Sequence, residues 1–536
     1  MTTQADELTG AAAPTARVGA RGESIAVNAA IAIVFISNMC IMVMELVASR
    51  VMAPVIGASL YTWTSIIGVI LAGISLGNFL GGIIADRMAS RRTVGWIFII
   101  AGMAALSVIP LGNFMVNRGV PESLPLLWRI VLYTAAIFFL PSVALGLISP
   151  VLIKLALHNL DETGRVVGRV YAASAFGSII GTFLTGFYLI SAFGTRAIIV
   201  AVGLVLIALG LIVGRTAFFR HSDGVAVALL IFAPLLLIGA EAKDKNVSLL
   251  NLFDQFPTHR CLVETNYYCI RWYDTKTGTP EENIRVLVLD HLIHSYNSLE
   301  SPLSLKYAYE RSYADLMEKI PVEGQRKLLV LGGGGYTFPR YVEAKYPGSD
   351  VHVIEIDPGV TNVAMNYMEM LPNTKIRTTN MDARQYLETA PADEKYNLIL
   401  GDAFNDFSVP FHLTTKEFTQ LVADHMTDDG LYLANVIDSG DAPFLSAYTR
   451  TIGQVFPYVY IIPNVPSWRT NIRNTFVIVG SKRDLASYSP QLGSDAQFLA
   501  PEDQAALLRD TNQIILTDDY VPTDNLLAPV FAASGF

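Results

Sequence analysis

Residues 327–357 read KLLVLGGGGYTFPRYVEAKYPGSDVHVIEID, and their order decides what kind of domain the C-terminal half is. The run from Lys327 to Leu331 has the length and apolar content of a strand buried on both faces. Gly332, Gly333, Gly334 and Gly335 follow at once, and a helix-compatible stretch then reaches about Ala344. A second strand, Val351 to Asp357, ends in acids, and Glu355 stands 23 residues after Gly332. A glycine turn lets the backbone approach a ligand at a helix N-terminus. An acid at the next strand tip accepts hydrogen bonds from ribose hydroxyls. A plain tight turn with a capping acid is the blander reading. Strand, turn, helix and acid at this spacing favour a nucleotide-binding βαβ unit.

The alternation continues downstream. Ile376–Thr379 reads as a strand followed by Met381-Asp382-Ala383, and Tyr396–Leu400 as a strand followed by Gly401-Asp402-Ala403-Phe404-Asn405-Asp406. In an open parallel sheet the C-terminal strand ends line the ligand crevice. Gly332–Gly335, Glu355, Asp382 and Asp402 are therefore expected in one cleft. Asp382 reads equally well as a helix N-cap, and Asp406 as a solvated loop acid. Upstream, residues 263–296 read as short strands, Tyr267–Tyr273 and Arg285–Leu289 among them, with turn material at Thr277-Gly278-Thr279-Pro280. A helix is expected over about 304–320.

The N-terminal half is of another kind. The chain has 536 residues, 52% of them hydrophobic and 16% charged, with a mean hydropathy of +0.41. That is too little charge to cover a soluble protein of this size, and the apolar excess is confined to residues 25–240. Seven segments have the roughly 20 apolar residues a membrane crossing needs: about 26–47, 62–85, 94–112, 129–154, 170–193, 196–214 and 224–241. The second carries GVILAGISLGNFLGG, whose small residues suit close helix packing. Pro141 and Pro150 are expected to kink the fourth. Residues 1–24 read as a disordered tail rather than a signal peptide. The organisation expected is thus a tail (1–24), a multi-pass helical bundle (25–241), a linker with a small β-strand domain (242–320) and a nucleoside-binding α/β domain (321–536).

Arg17, Arg21, Arg87, Arg91, Arg92, Lys154, Arg165, Arg169, Arg215 and Arg220 fall on one side if every segment spans, which makes that side cytoplasmic. Seven spans would put the α/β domain on the other side, away from cytosolic nucleosides; one segment fewer would reverse this. Glu45 and Arg50 near the first segment's end read as interfacial snorkelling, or as part of a polar pathway. Net charge is −9 without a Lys/Arg block, which argues against nucleic acid. The three cysteines form no metal-binding pattern. Cys261 and Cys269 read first as two separate strand residues; the alternative is a disulfide, which would need an oxidising compartment.

LLVLGGGGYTFPRYVEAKYPGSDVHVIEIDPGV, GDAFNDFSVPFHLTTKEF and VLVLDHLIHSY resemble the spermidine synthase family of aminopropyltransferases over about 260–485. MELVASRVMAP, YTWTSIIGVILAGISLGNFLGGIIADR and LTDDYVPTDNLL extend the likeness to bacterial membrane-fused spermidine synthase-like proteins over most of the chain. The resemblance implies the S-adenosylmethionine methyltransferase fold, a doubly wound, mostly parallel sheet preceded by a small strand layer. It implies a bacterial inner-membrane location, with the bilayer as partner. It also implies decarboxylated S-adenosylmethionine or S-adenosylmethionine as co-substrate, an amine such as putrescine as acceptor, no tightly bound cofactor or metal, and a homodimer as the candidate assembly. Carried over residue by residue, Glu355 would hold the ribose diol, Asp382 the adenine amino group, and Asp402 the attacking amine. Tyr268, His294, Tyr309 and Asp406 would contact substrate. The chain departs from the family at several of these places. Gly335 stands where the family has the aspartate that holds the donor's amine. Tyr268 and His294 replace glutamines, and the paired acids are spread to Asp402-x-x-x-Asp406. Nucleoside binding is expected to persist, and recognition of the two amines to differ. A methyltransferase, or a transporter or sensor with a non-catalytic soluble domain, are the alternatives.

Overall fold

The computed structural model describes residues 25–57, 59–118, 124–157, 162–220, 261–278, 281–403 and 409–533. The N-terminal half is all helix. α1 (Val27–Ile56), α2 (Leu60–Met88) and α3 (Arg91–Arg118) are continuous. α4 (Leu126–Thr134), α5 (Leu140–Gly146) and α6 (Ile148–Ala156) form one broken span. A π-helical turn, Ala135–Phe139, precedes Pro141, and Leu147 interrupts the helix before Pro150. Proline offers no N–H to the ladder, so breaks just upstream are where the kinks belong. α7 (Thr163–Leu184) runs through a second π turn, Thr185–Leu189, into α8 (Ile190–Arg220).

Five stretches are long and apolar enough to cross a membrane, and the last, Thr163–Arg215, has 53 residues. At 1.5 Å per residue that is about 80 Å, against a hydrocarbon layer of ~30 Å. Gly194, at φ 73° and ψ 160°, breaks it, so it is long enough for two crossings. Six of the seven expected segments are helical; the seventh, 224–241, lies outside the described residues, as do the tail 1–24 and the linker up to 260. Phe79, Phe176 and Phe187 stay exposed on the bundle's outer face, which water would penalise and lipid would not. Inside, the small residues of α2 meet α5 and α6: a Cβ on Gly73 would lie 2.7 Å from the Ser142 Cβ, and one on Gly146 2.6 Å from the Ile74 carbonyl.

The soluble half opens with an antiparallel sheet, β1 (Val263–Glu264), β2 (Cys269–Thr277), β3 (Glu282–Leu289) and β4 (Leu292–Ser298), in sequential order. A disulfide joins Cys261 to Cys269. This corrects the preferred sequence reading of two separate thiols: the chain reverses at residues 265–268, bringing position 261 back beside the start of β2. After α9 (Ala308–Lys319) comes a seven-stranded sheet of order β10-β11-β9-β8-β5-β6-β7. Its members are β5 (Lys327–Leu331), β6 (Asp350–Ile354), β7 (Arg377–Thr379), β8 (Tyr396–Gly401), β9 (Met426–Asp438), β10 (Tyr458–Pro463) and β11 (Asn474–Ser481). The five strands β9, β8, β5, β6 and β7 are parallel, and β10 and β11 close one edge antiparallel. The helices α10 (Thr337–Lys345), α11 (Pro358–Tyr367), α12 (Ala383–Thr389), α13 (Lys416–Asp424) and α14 (Pro443–Ile452) cover the faces. Two C-terminal helices, α15 (Pro501–Asp510) and α16 (Thr523–Ala533), follow. The small sheet is not independent: its Ile270, Leu287 and Leu289 share a core with Tyr313 and Leu316 of α9 and Leu328 and Val330 of β5.

Arg50 has partners that neither sequence reading anticipated. It lies near the end of α1, and its guanidinium donates to the carbonyls of Thr265 and Tyr267 in the soluble half. It ties the two halves together.

Candidate active site

β5 is the strand at which the winding reverses, with β6 on one side and β8 on the other. A crevice must open there at the strand tips. The turn after β5 is built for it. Gly332 has φ 103° and Gly334 φ 50°, a region side chains avoid. Gly332 also abuts the backbone carbonyl of Asp402 at the tip of β8, which leaves no room for a Cβ. Its N–H binds the Ile354 carbonyl at 2.8 Å, and the Asp402 N–H binds the Leu331 carbonyl at 2.9 Å. The three strand tips are thereby fixed against one another.

A cavity of about 530 Å³ opens at this point, large enough for a nucleoside and a short chain. Gly332, Gly333, Gly334, Glu355, Asp382 and Asp402 line it. So do Tyr268, His294 and Tyr309. Gly335 does not: its N–H donates to Ser295 Oγ at 2.7 Å, its carbonyl accepts from Asn297, and a Cβ there would lie 2.5 Å from the Ser295 Cβ. No acidic side chain could be accommodated at 335 without moving β4. Asp406 lies outside the described residues.

Glu355 is buried, and its carboxylate is held on both oxygens, by the Gly333 N–H at 2.7 Å and the Asp357 N–H at 2.9 Å. Burial pushes it up, and those two backbone donors oppose this. Asp382 caps α12 through the N–H groups of Arg384 and Gln385, and His412 Nε2 lies 2.8 Å from its other oxygen. Burial raises it, but the Gln385 N–H and His412 prevail, and it sits below the usual range. Asp402 accepts from Asn435 Nδ2 at 2.8 Å and from the Tyr309 hydroxyl. Burial dominates, and its carboxyl is raised.

Sequence reasoning did not single out Glu310, Asn435, His412 or Arg473, all of which reach this cavity. Glu310 is 3% exposed, and its Oε2 has no hydrogen-bond partner. Burial and then the nearby Asp402 push it up to about 8. An acid in the first turn of a helix reads as a surface residue suiting the helix dipole. The cue that would have found it is its place beside Tyr309, itself a candidate. His294 is neutral: burial and then Arg473 push it down to about 4. The cavity thus offers two further carboxyls, Asp402 and Glu310, in addition to Glu355 at the glycine turn, and Tyr268, Tyr309 and Tyr313 also line it.

These features define an α/β domain with an acid-lined cleft at the tips of its parallel strands. Residues 310–484 match the family model for the spermine/spermidine synthase domain. Over 185 residues it is 29% identical to a probable polyamine aminopropyl transferase of Bifidobacterium longum, covering 34% of this chain and 38% of that protein. Over 480 residues it is 24% identical to polyamine aminopropyltransferase 2 of Ralstonia nicotianae, covering 84% of this chain and 86% of that one. The second likeness takes in the bundle as well. A probable spermidine synthase structure from Corynebacterium glutamicum aligns with 48% of this chain and 95% of its own, at 20% identity and a TM-score of 0.42.

Proposed function

We propose that the chain is a membrane-anchored aminopropyltransferase of a bacterial cytoplasmic membrane. It transfers the aminopropyl group of decarboxylated S-adenosylmethionine to an amine such as putrescine. The observation that carries this is the pairing, in one cavity, of a ribose-type acid at the glycine turn with a separate pair of carboxyls, Glu310 buried and Asp402 half-buried. Glu355 and Gly332–Gly334 receive the nucleoside, with Asp382 at its base end. Asp402, oriented by Asn435 and Tyr309, holds the acceptor amine and takes its proton. The freed lone pair attacks the carbon beside the sulfonium, the N–C bond forms, and the C–S bond breaks. The bonding electrons pass to sulfur and leave a neutral thioether nucleoside. The charged sulfur is its own activated leaving group, so the residues need only hold, align and deprotonate. Tyr268, His294 and Asp406 complete the amine contacts in this reading.

The test is release of thioether nucleoside by the full chain in detergent, given decarboxylated donor and putrescine. Asp402→Asn should lower kcat by about 10²- to 10⁴-fold while calorimetric nucleoside affinity stays within a few-fold. Undiminished turnover by that variant, or no turnover with any amine, would sink the reading. Gly335 favours a second one. With no acid at that position to grip a donor amine, S-adenosylmethionine itself is the rival donor, and a methylated amine product would establish it.

A further inference from the structure

The bundle has two unlike ends. At one, the start of α1 meets the end of α6 (Ile25 N–H to the Leu155 carbonyl, 3.2 Å), and Lys154 of α6 pairs with Asp86 at the end of α2, at 3.1 Å. Arg169 of α7 reaches Asn28 of α1 at 3.1 Å. Gly210 of α8 packs on the Gly95 carbonyl at the start of α3. Of the twelve Lys and Arg residues among the described positions up to 220, eight flank this end. Only Arg50, Arg118, Arg129 and Arg196 flank the other. Basic residues in short loops stay on the cytoplasmic side during insertion, so the end with eight of them faces the cytosol.

The soluble domain sits on the opposite end. Arg50 near the end of α1 donates to the carbonyls of Thr265 and Tyr267. Tyr61 at the start of α2 reaches Asn525 at 3.3 Å. Beyond the Gly194 break, the Thr195 N–H and hydroxyl donate to Glu264 Oε2 at 3.0 and 3.3 Å. Three helix ends from separate parts of the bundle therefore meet one domain on one side. The Cys261–Cys269 disulfide lies beside these contacts, and such bonds persist where thiols are not kept reduced. Charge distribution, domain contacts and cysteine pairing are independent of one another, and they agree.

We infer that the nucleoside cleft faces the extracytoplasmic side of the membrane. Resting on the aminopropyltransferase reading for the identity of its substrates, this places the reaction downstream of a transport step. A sulfonium nucleoside and an amine, both permanently or predominantly cationic and neither able to cross lipid unaided, must be delivered outside before the cleft can act.

The experiment needs no activity, so its failure is separate from failure of the enzymatic reading. Alkaline phosphatase and green fluorescent protein are fused in turn after Phe536 of the full chain, and inserted in turn at Ser90. Active phosphatase and a dark fluorescent protein at the C-terminus, with the reverse at Ser90, is the expected result. A fluorescent C-terminal fusion overturns it. Tyr520→Cys, on an exposed soluble-domain position, gives a second readout without a fusion. Labelling of intact cells by a membrane-impermeant maleimide supports the inference, and labelling only after lysis refutes it.

Discussion

Two carboxyls face the acid compartment, and they cannot both be charged without cost in so dry a place. Asp402 has two donors, Asn435 and Tyr309, to stabilise its anion. Glu310 has an oxygen with none. Glu310 is therefore the acid that keeps its proton near neutrality, pushed up to about 8 from an ordinary 4.5. The consequence for stability has a definite sign. Below pH 4.5 folded and unfolded chains both hold this proton. Between 4.5 and 8 the unfolded chain releases it while the folded one retains it, so stability drains away as pH rises through that window. Glu310→Gln removes the penalty. The thermal midpoint of the soluble half in the variant should exceed that of the parent, by a margin that is small near pH 5 and widest by about pH 8. A margin independent of pH would show that Glu310 is not the titrating group. The same variant should raise KM for the amine roughly ten-fold, as expected for losing one charge-assisted contact, since a bound ammonium is what would otherwise draw the proton off.

At the level of elements, the β5–turn–α10 unit and its neighbours carry the fold, and they were also the most legible part of the sequence. The strands at 327–331, 350–354, 377–379 and 396–401 fall where buried runs and terminal acids put them, because a strand covered on both faces must be apolar throughout and must end where ligand chemistry begins. The small sheet was less legible. β4 carries His294, Ser295 and Asn297 in a mixed polar run, since its polar side chains bond the glycine turn rather than water. Its contact with Gly335 could not be read from either segment alone. Glu310 and Asn435 were missed for the same reason: they come from elements whose local pattern says helix or strand and nothing about the cavity. The glycine turn yields a test in which steric closure and backbone strain separate. Gly332→Ala meets both a forbidden φ and the Asp402 carbonyl, whereas Gly348→Ala at φ 94° has open space around its Cβ. Each should lose about 1–2 kcal/mol of stability to the left-handed conformation. Only Gly332→Ala should also weaken nucleoside binding, by ten-fold or more in calorimetry. Equal affinities in the two variants would mean that the turn does not hold the ligand.

Over the whole molecule, what the sequence could not show is how the halves meet. Hydropathy located the helices because lipid exposure demands it, but Arg50 looked like an interfacial residue until the carbonyls of Thr265 and Tyr267 were placed against it. That contact leads on to the cleft. Thr265 Oγ1 donates to Asp357 Oδ2, and the Asp357 N–H holds Glu355 Oε1 at 2.9 Å. The bundle therefore bears on the acid at the glycine turn through two residues, and Asp357 also caps α11 through the Gly359 N–H at 2.8 Å. Removing Arg50 should loosen residues 265–268 without altering the reacting groups. For Arg50→Ala the expected signature is a several-fold rise in donor KM with kcat nearly unchanged, together with faster proteolytic cutting near Tyr267. Two charge-assisted hydrogen bonds at a partly exposed site are worth about 1–3 kcal/mol together, enough for that shift and too little to unfold either half. Arg50→Lys, which keeps the charge but can span only one carbonyl, should fall between. A drop in kcat with donor KM unchanged would show instead that the junction governs chemistry or product release, and the route through Thr265 and Asp357 would be wrong.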